Sequence, residues 1–139
     1  MNDSPAVGPT PRLEGLTADF YEYLHDGELR VQECDACHFR RHIPRVLCPR
    51  CTGDAWHWHR CTGDGRLYSW TTTHRPLHPS FTATPFTVAI VELDEGPRIV
   101  APLLGCDEGD LHAGLRVRLC IHSSGGHVIP AFTARAATP

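Results

Sequence analysis

Two C-x-x-C pairs constrain this chain more than any other feature of its sequence. The first pair supplies Cys34 and Cys37, the second supplies Cys48 and Cys51, and ten residues separate the pairs. A structural zinc site needs four soft ligands at one tetrahedral point, and each C-x-x-C turn aims two sulfurs the same way. The intervening HFRRHIPRVL allows one short strand, a turn and a return. The spacing therefore predicts a zinc ribbon with a structural metal ion.

Three other interpretations compete for these cysteines. CDACH matches the C-x-x-C-H pattern of haem attachment, but that interpretation leaves Cys48 and Cys51 without a role. A thioredoxin-like redox pair needs one C-x-x-C in a βαβ context, not two in a hairpin. Disulfides belong mainly to exported proteins. The N-terminus shows no basic region followed by an apolar run, so we expect a cytoplasmic chain, which favours zinc.

Three cysteines lie outside the quartet: Cys61, Cys106 and Cys120. Cys120 lies within the alternating strand candidate RVRLCIH and is expected to be a small buried hydrophobe. A catalytic nucleophile is the alternative for all three. None has a histidine at a spacing that indicates catalysis. We therefore expect no catalytic residue in this chain and no enzymatic activity of the chain alone.

The order of segments indicates a mostly β protein. Residues 1–16, rich in proline and glycine, are expected to form a flexible leader. A helix over residues 17–28 is expected to begin at Thr17 and to end at Gly27. Its apolar stripe, Phe20, Tyr21 and Leu24, must dock on something because two turns are unstable alone. The zinc ribbon follows over residues 29–60, with WHWHRC as a strand.

Residues 61–139 are predicted to form a small β-barrel. RLYSWTTTHR, the two halves of FTVAIVELDEGPRIVAPLLG, GLRVRLCIH and HVIPAF are five candidate strands. A long first connection and a Gly-rich last one are typical of a five-stranded OB-fold. The long connection, THRPLHPSFTATP, is stiffened by prolines. It is either a ligand or partner loop or a segment that packs on its own barrel, and its candidate contact residues are His74, Arg75, His78 and Phe81.

This order of elements resembles one family. It is the zinc-ribbon (rubredoxin-like) and OB-fold proteins associated with acyl-CoA enzymes, long described as a domain of unknown function. The resemblance covers roughly residues 17–133. Besides the four cysteines, it rests on GxGxLYSWTTTHRPxHPxF and VAIVELDEGPR, with these matched positions: Gly63, Gly65, Tyr68, His74, Arg75, Pro76, His78, Pro79, Glu92, Gly96 and Pro97. The leader, Cys61 and the histidines of WHWH depart from the pattern.

The resemblance implies a non-catalytic accessory subunit in a hetero-oligomer. Members of the family are similar to subunits that bind thiolase-like enzymes or MaoC-type hydratases, so the implied complex is an acyl-CoA lyase, acyltransferase or hydratase. Ribbon and helix would lie near the active-site entrance of the partner, with the stripe of Phe20, Tyr21 and Leu24 as docking surface. CoA or acyl-CoA would then be shared with the partner. The arginines Arg40, Arg41, Arg45 and Arg50 are candidates for its phosphates, or simply solubilise the ribbon.

A single-stranded nucleic-acid binding module is the alternative function, because OB-folds and zinc ribbons both serve that role. Tyr68, Trp70 and Phe86 are candidate stacking platforms. The net charge of −3 argues against binding that depends on phosphate neutralisation. Residues 28–60 are only mildly basic, with six arginines against four acids. No segment approaches the about 20 apolar residues of a membrane helix.

Overall fold

One short helix, α1 (Gly15–His25), begins the fold in this computed structural model, which describes residues 10–76, 78–80, 84–124 and 126–135. The helix begins two residues before Thr17, and its N-cap residue, Glu14, makes no side-chain capping bond. At the other end, Gly27 has a φ of 90°. The N–H of Gly27 donates to the Leu24 carbonyl and that of Glu28 donates to the Tyr23 carbonyl. This paired closure is a Schellman motif, which favours glycine at its left-handed position.

A three-stranded antiparallel sheet forms the ribbon. Its strands are β1 (Arg30–Cys34), β2 (Arg40–Arg41) and β3 (Trp56–Arg60), in the order β2-β1-β3. The first C-x-x-C pair begins at the last residue of β1, and the second pair lies in the connection between β2 and β3. The sheet therefore brings the two C-x-x-C loops together.

A closed five-stranded barrel follows, as the sequence predicts. It consists of β4 (Asp64–Thr73), β5 (Phe86–Leu93), β6 (Arg98–Leu103), β7 (Arg116–Leu119) and β10 (Phe132–Ala134), in the order β10-β6-β5-β4-β7. A short 3-10 helix, Glu108–Asp110, precedes β7. The strand β10 closes the barrel by pairing parallel to β6 and antiparallel to β7. The predicted fold class, mostly β with helix, ribbon and OB-like barrel, is confirmed.

The last two barrel strands differ from the sequence prediction. GLRVRLCIH forms a barrel strand only as far as Leu119, and HVIPAF contributes to the barrel only through Phe132. Between them lies a separate hairpin, β8 (His122–Ser124) with β9 (His127–Ile129). Pro130 lacks a backbone N–H, so it cannot continue the hairpin into the barrel ladder.

Close backbone packing explains one glycine of the barrel pattern. A Cβ on Gly65 would lie 2.7 Å from the Glu92 carbonyl oxygen and 2.8 Å from Cγ1 of Val91. Any larger residue there would push β4 away from β5.

Helix, ribbon and barrel share one apolar core. Phe20 and Leu24 of α1 lie in the same buried cluster as Val31 of the ribbon and Leu67 and Phe132 of the barrel. Residues 1–9 of the predicted leader, Phe81 of the predicted loop and residues 136–139 lie outside the described ranges.

Candidate metal centre and anion-binding cavity

The two C-x-x-C loops have matching backbone geometry. The N–H of His38 donates to the Cys34 carbonyl at 2.9 Å, and the N–H of Thr52 donates to the Cys48 carbonyl at 2.9 Å. His38 and Thr52 share a φ of 63°, the left-handed conformation that closes each loop. The histidine of CDACH therefore sits at the closing position of its loop, which accounts for it without haem.

The four sulfurs of these loops converge on one point. The Sγ atoms of Cys34 and Cys51 lie 3.5 Å apart, and those of Cys37 and Cys48 lie 3.7 Å apart. All four lie within 4.8 Å of one another. Zinc–sulfur bonds of about 2.3 Å in a tetrahedron place sulfurs about 3.8 Å apart. The quartet therefore fits a structural zinc ion, and four thiolates leave no open position for a substrate.

Backbone groups favour the thiolate form that a metal binds. The N–H of Cys37 faces the Cys34 sulfur and lowers the pKa of that thiol. The N–H of Gly53 donates to the Cys51 sulfur at 3.4 Å. These bonds fix the direction of the sulfurs as well as their charge.

A basic cavity of about 610 Å³ lies between the ribbon and the β5–β6 turn of the barrel. Residues of the 38–50 segment form one wall, and residues of the VELDEGPR stretch form the other. We call this space the basic cavity. Its volume lies in the range of small-molecule sites. Its charged and titratable side chains are Arg40, Arg41, Arg45, Arg50, Arg98, His38, His42, Glu92 and Glu95.

The cavity carries excess positive charge. Two of its arginines have carboxylate partners: Arg40 pairs with Glu33 at 2.8 Å and Arg98 pairs with Glu92 at 3.2 Å. Among the described residues, no carboxylate lies within ion-pair distance of the other three, which are Arg41, Arg45 and Arg50. Such a surface suits an anion.

Arg41 differs from the other arginines because only 5% of it is exposed. Its Nε donates to Oε1 of Gln32 at 2.8 Å, and its Nη2 donates to the Arg45 carbonyl at 3.1 Å. The same Gln32 oxygen accepts the Arg45 N–H at 2.7 Å. Nη1 is buried and has no hydrogen-bond partner among the described residues. Arg41 thus holds the loop between the C-x-x-C pairs in place and adds its charge as a buried part of the cavity wall.

The sequence did not identify Arg98 as part of this region. A hairpin at DEGP places Glu92 opposite Arg98, so this pairing was predictable from the sequence. The packing of the hairpin against the ribbon was not predictable, because it depends on how the two halves of the chain meet.

An apolar slot of about 390 Å³ adjoins the basic cavity. His42, Ile43 and Arg98 line both spaces. The rest of the slot comes from α1, the ribbon and the barrel: Thr17, Phe20, Tyr21, Pro44, Ile99, Val100 and Pro130. His42 packs on Phe20 with ring centroids 5.0 Å apart. Burial lowers the pKa of His42 to about 4, so its ring is neutral at neutral pH.

The sequence suggested that the helix stripe is an open docking surface, but the structure buries most of it. Phe20 is 3% exposed and Leu24 is 0% exposed, because both pack in the shared core. An isolated short helix needs such packing, and its own barrel supplies it. Only Tyr21 remains half-buried, where it lines the slot.

Known protein families match both halves of the chain. Residues 22–57 match the model described as "ChsH2, rubredoxin-like zinc ribbon domain", and residues 58–122 match "ChsH2, C-terminal OB-fold domain". A solved structure named "Ltp2-ChsH2(DUF35) aldolase" superposes with a TM-score of 0.82 at 32% identity. That similarity covers 90% of this chain and 98% of the other.

The chain belongs to the DUF35 family of ChsH2-type zinc-ribbon and OB-fold proteins.

Two curated relatives give the family its functional context. The "Probable enoyl-CoA hydratase alpha subunit" of Thermomonospora curvata is 36% identical over 82% of this chain and 35% of its own length. The "DUF35 domain-containing scaffold protein" of Methanocaldococcus jannaschii is 27% identical over 64% of this chain and 62% of its own length. The chain thus spans about a third of the first relative and less than two thirds of the second.

The described residues of the predicted loop do not line the two spaces described above. His74 has its Nε2 3.6 Å from a Glu108 carboxylate oxygen, beside the 3-10 helix. Nδ1 of His78 accepts the Ser80 N–H at 3.1 Å. Arg75 is exposed, and Phe81 is outside the described residues. None of the three described residues lines the basic cavity or the slot, and their contact role stays a prediction.

Exposed aliphatic side chains cluster at the ribbon instead. Ile43, Val46 and Leu47 are 61%, 68% and 52% exposed, and they lie within one stretch between the C-x-x-C pairs. We call these three residues the ribbon tip. Val100, 65% exposed, lines the slot together with Ile43. Ile43 thus belongs to both the ribbon tip and the slot, so the tip borders the slot.

Among the described residues, no helix has the length and hydropathy to cross a bilayer; α1 has eleven residues.

Proposed function

We propose that this DUF35 chain is a non-catalytic accessory subunit of an acyl-CoA-processing enzyme, most simply a cytoplasmic enzyme of the thiolase fold. A MaoC-type hydratase is the alternative partner of the same kind. The observation that carries the proposal is the pairing of a basic cavity with an adjoining apolar slot. The name of one relative, an enoyl-CoA hydratase subunit, supports an acyl-CoA context. The names of two others, a scaffold protein and an aldolase, support a role in an enzyme assembly.

The cavity and slot match the two ends of CoA. The nucleotide end is strongly anionic, and Arg45 and Arg50 offer guanidiniums without carboxylate partners in the described residues. Guanidinium–phosphate contacts are charge-assisted and often bidentate. The pantetheine arm is long and weakly polar, and it suits the slot beyond His42 and Ile43. CoA would then be shared between this chain and its partner.

The ribbon tip is the proposed docking surface for the enzyme. Monomeric proteins rarely leave three large aliphatic side chains exposed in one short loop. The tip borders the slot, so a partner that covers it would also close the slot above a bound arm. This assignment replaces the helix stripe, whose apolar side chains are already buried.

Among the described residues, the metal site and the thiols of Cys61 and Cys120 are poorly suited to acyl-CoA chemistry. A four-thiolate metal site has no open coordination position. Burial raises the pKa of the Cys61 thiol to about 12 and that of the Cys120 thiol above its ordinary value, so neither favours a nucleophilic thiolate. The reacting groups would belong to the partner.

Calorimetric titration of the chain, free and in complex with a co-expressed thiolase-like protein, tests the proposal. CoA should bind more tightly than pantetheine, which lacks the phosphates. The double variant Arg45→Glu/Arg50→Glu should weaken CoA at least about tenfold, and Arg12→Glu, an exposed charge elsewhere, should not. A complex that forms and binds CoA equally well with and without the two arginine substitutions would refute the CoA assignment.

The ribbon tip is tested separately by Val46→Ser/Leu47→Ser. These exposed changes should leave the chain folded and zinc-loaded but should weaken assembly, as judged by size-exclusion chromatography. A single-stranded DNA titration at physiological salt serves as a counter-test. Tight DNA binding with no protein partner would favour the nucleic-acid function instead, with Tyr68 and Arg98, stacked at 3.7 Å, as its contacts.

A further inference from the structure

The junction of the basic cavity and the apolar slot is formed by three side chains that line both spaces: His42, Ile43 and Arg98. Ile43 is apolar and offers no hydrogen bond. The guanidinium of Arg98 is already engaged, because its Nε lies 3.2 Å from a Glu92 carboxylate oxygen and its Cζ lies 3.7 Å from the centre of the Tyr68 ring. His42 is therefore the junction side chain best placed to receive a polar group of a ligand.

The two ring nitrogens of His42 differ in what they can do. Nδ1 is buried and has no hydrogen-bond partner in the part of the chain that the structure describes, and the ring packs on Phe20. Burial lowers the pKa of His42 to about 4, so the neutral ring carries one proton and one lone pair on its nitrogens. Buried donors without an acceptor are rarer in proteins than under-satisfied acceptors. We therefore assign the proton to Nε2, at the tip of the ring.

An uncharged N–H donor at this position suits a carbonyl oxygen. The side chain of His42 is only partly buried as a whole, and the ring borders both spaces, so its donor is within reach of a chain that passes from one to the other. Phosphates are bound better by the charged guanidiniums of the basic cavity. A neutral donor in a less polar passage recognises an amide instead, and it keeps the same form throughout the neutral pH range.

The lining of the slot supports this assignment. Its walls are mainly apolar, and the side chains that add polar atoms are Thr17, Tyr21, His42 and Arg98. Ligand sites commonly combine apolar walls with a few polar groups that fix the orientation of the ligand. Pantetheine is a chain of this mixed character, because methylene groups alternate with secondary amides along it. An arm that runs from the basic cavity into the slot therefore carries an amide carbonyl past His42.

We propose that the Nε2–H of His42 donates a hydrogen bond to an amide carbonyl of the pantetheine arm of CoA. This inference rests on the proposed function for the identity of the ligand. It gives recognition of the arm to His42, whereas the arginines of the basic cavity recognise the nucleotide end. His42 thus makes the junction selective for CoA over a nucleotide that carries phosphates without an amide chain.

Calorimetric titration with two ligands tests the role of His42, on the full chain both free and in complex with a co-expressed partner. One ligand is CoA, and the other is adenosine 3′,5′-bisphosphate, which has the nucleotide and no arm. His42→Phe keeps a ring and removes the donor, so it should weaken CoA about fivefold to tenfold and leave the bisphosphate unchanged. His42→Gln, which restores a neutral N–H donor, should recover most of the loss. Equal effects on both ligands, or no effect on CoA, would overturn the inference.

Nuclear magnetic resonance of ¹⁵N-labelled histidine rings reads the donor directly in the unaltered chain, with the His42 signal identified in either variant. At neutral pH its proton should reside on Nε2, and the Nε2 signal should shift with CoA and not with the bisphosphate. A proton on Nδ1, or the same response to both ligands, contradicts the inference.

The double variant Arg45→Glu/Arg50→Glu separates this inference from the proposed function, because it should weaken both ligands. CoA binding that depends on these arginines and not on His42 overturns the role of His42 and leaves the proposed function standing. Binding of neither ligand, by the free chain or by the complex, overturns both.

Discussion

Leu24→Ala is the most direct test of how the helix is held. Leu24 is completely buried and lies in the cluster that joins α1 to the ribbon and barrel. If the stripe stabilises the chain itself, truncation should destabilise the isolated protein. If the stripe served only a partner, the isolated protein would barely change.

The structure sets the expected magnitude. Burying a leucine side chain contributes about 1.5–3 kcal/mol of transfer free energy, and the residual cavity adds to the loss. We therefore expect the free energy of unfolding to fall by about 3 kcal/mol. For a chain of this size, that corresponds to a drop in Tm of about 10 °C.

Urea unfolding followed by tryptophan fluorescence, with zinc present throughout, measures this effect. Leu13→Ala is the matched control, because Leu13 precedes the helix and is half exposed. It should change stability by less than about 0.5 kcal/mol. Equal effects for the two variants, or a loss below about 1 kcal/mol for Leu24→Ala, would refute the packing argument.

Three further outcomes follow from other parts of the molecule. Cys34→Ser should lower bound zinc well below one equivalent by elemental analysis and unfold the ribbon, because the metal contributes folding free energy directly; a folded ribbon without metal would contradict this. Gly65→Ala should destabilise the barrel by about 2 kcal/mol in the same urea assay, since the added Cβ meets backbone at 2.7 Å; an unchanged midpoint would be the opposite result. Burial lowers the pKa of His42 from 6.5 to about 4, so the unfolded chain takes up the proton first as the pH falls. The contribution of the neutral His42 ring to the free energy of unfolding is therefore fully present above about pH 6.5. It falls by up to about 3 kcal/mol as the pH is lowered to 4. His42→Phe should flatten the pH dependence of the unfolding free energy in that window; a parallel curve would show that His42 does not titrate as described.

The sequence predicted best those parts of the fold that depend on the residue types and spacing within one short segment. The four cysteines determined the ribbon, because ligand spacing and loop geometry lie within one short segment. Alternating strands separated by turn residues determined the barrel. The split of GLRVRLCIH and HVIPAF was not predictable from alternation. A hairpin strand and a barrel strand show the same period, and only the pairing partner distinguishes them.

Long-range packing explains what the sequence analysis missed. The stripe of Phe20 and Leu24 was recognised, but the partner that covers it lies in the barrel of the same chain. Arg98 was overlooked for the same reason, since it reaches the ribbon arginines only when the two halves meet.

Closure of the barrel by β10 has a consequence for the order of folding. The ribbon pairs residues within one short span, whereas Phe132 must reach both Leu103 and Leu119 before the barrel shuts. During synthesis at about 5–20 residues per second, the last zinc ligand would precede that strand by roughly 4–17 s. In that interval a metal-loaded ribbon would carry an uncovered Phe20 and Leu24, because their core neighbours have not yet assembled. The nascent chain therefore passes through a stage that attracts chaperones, and its duration is determined by the ribosome rather than by the ribbon.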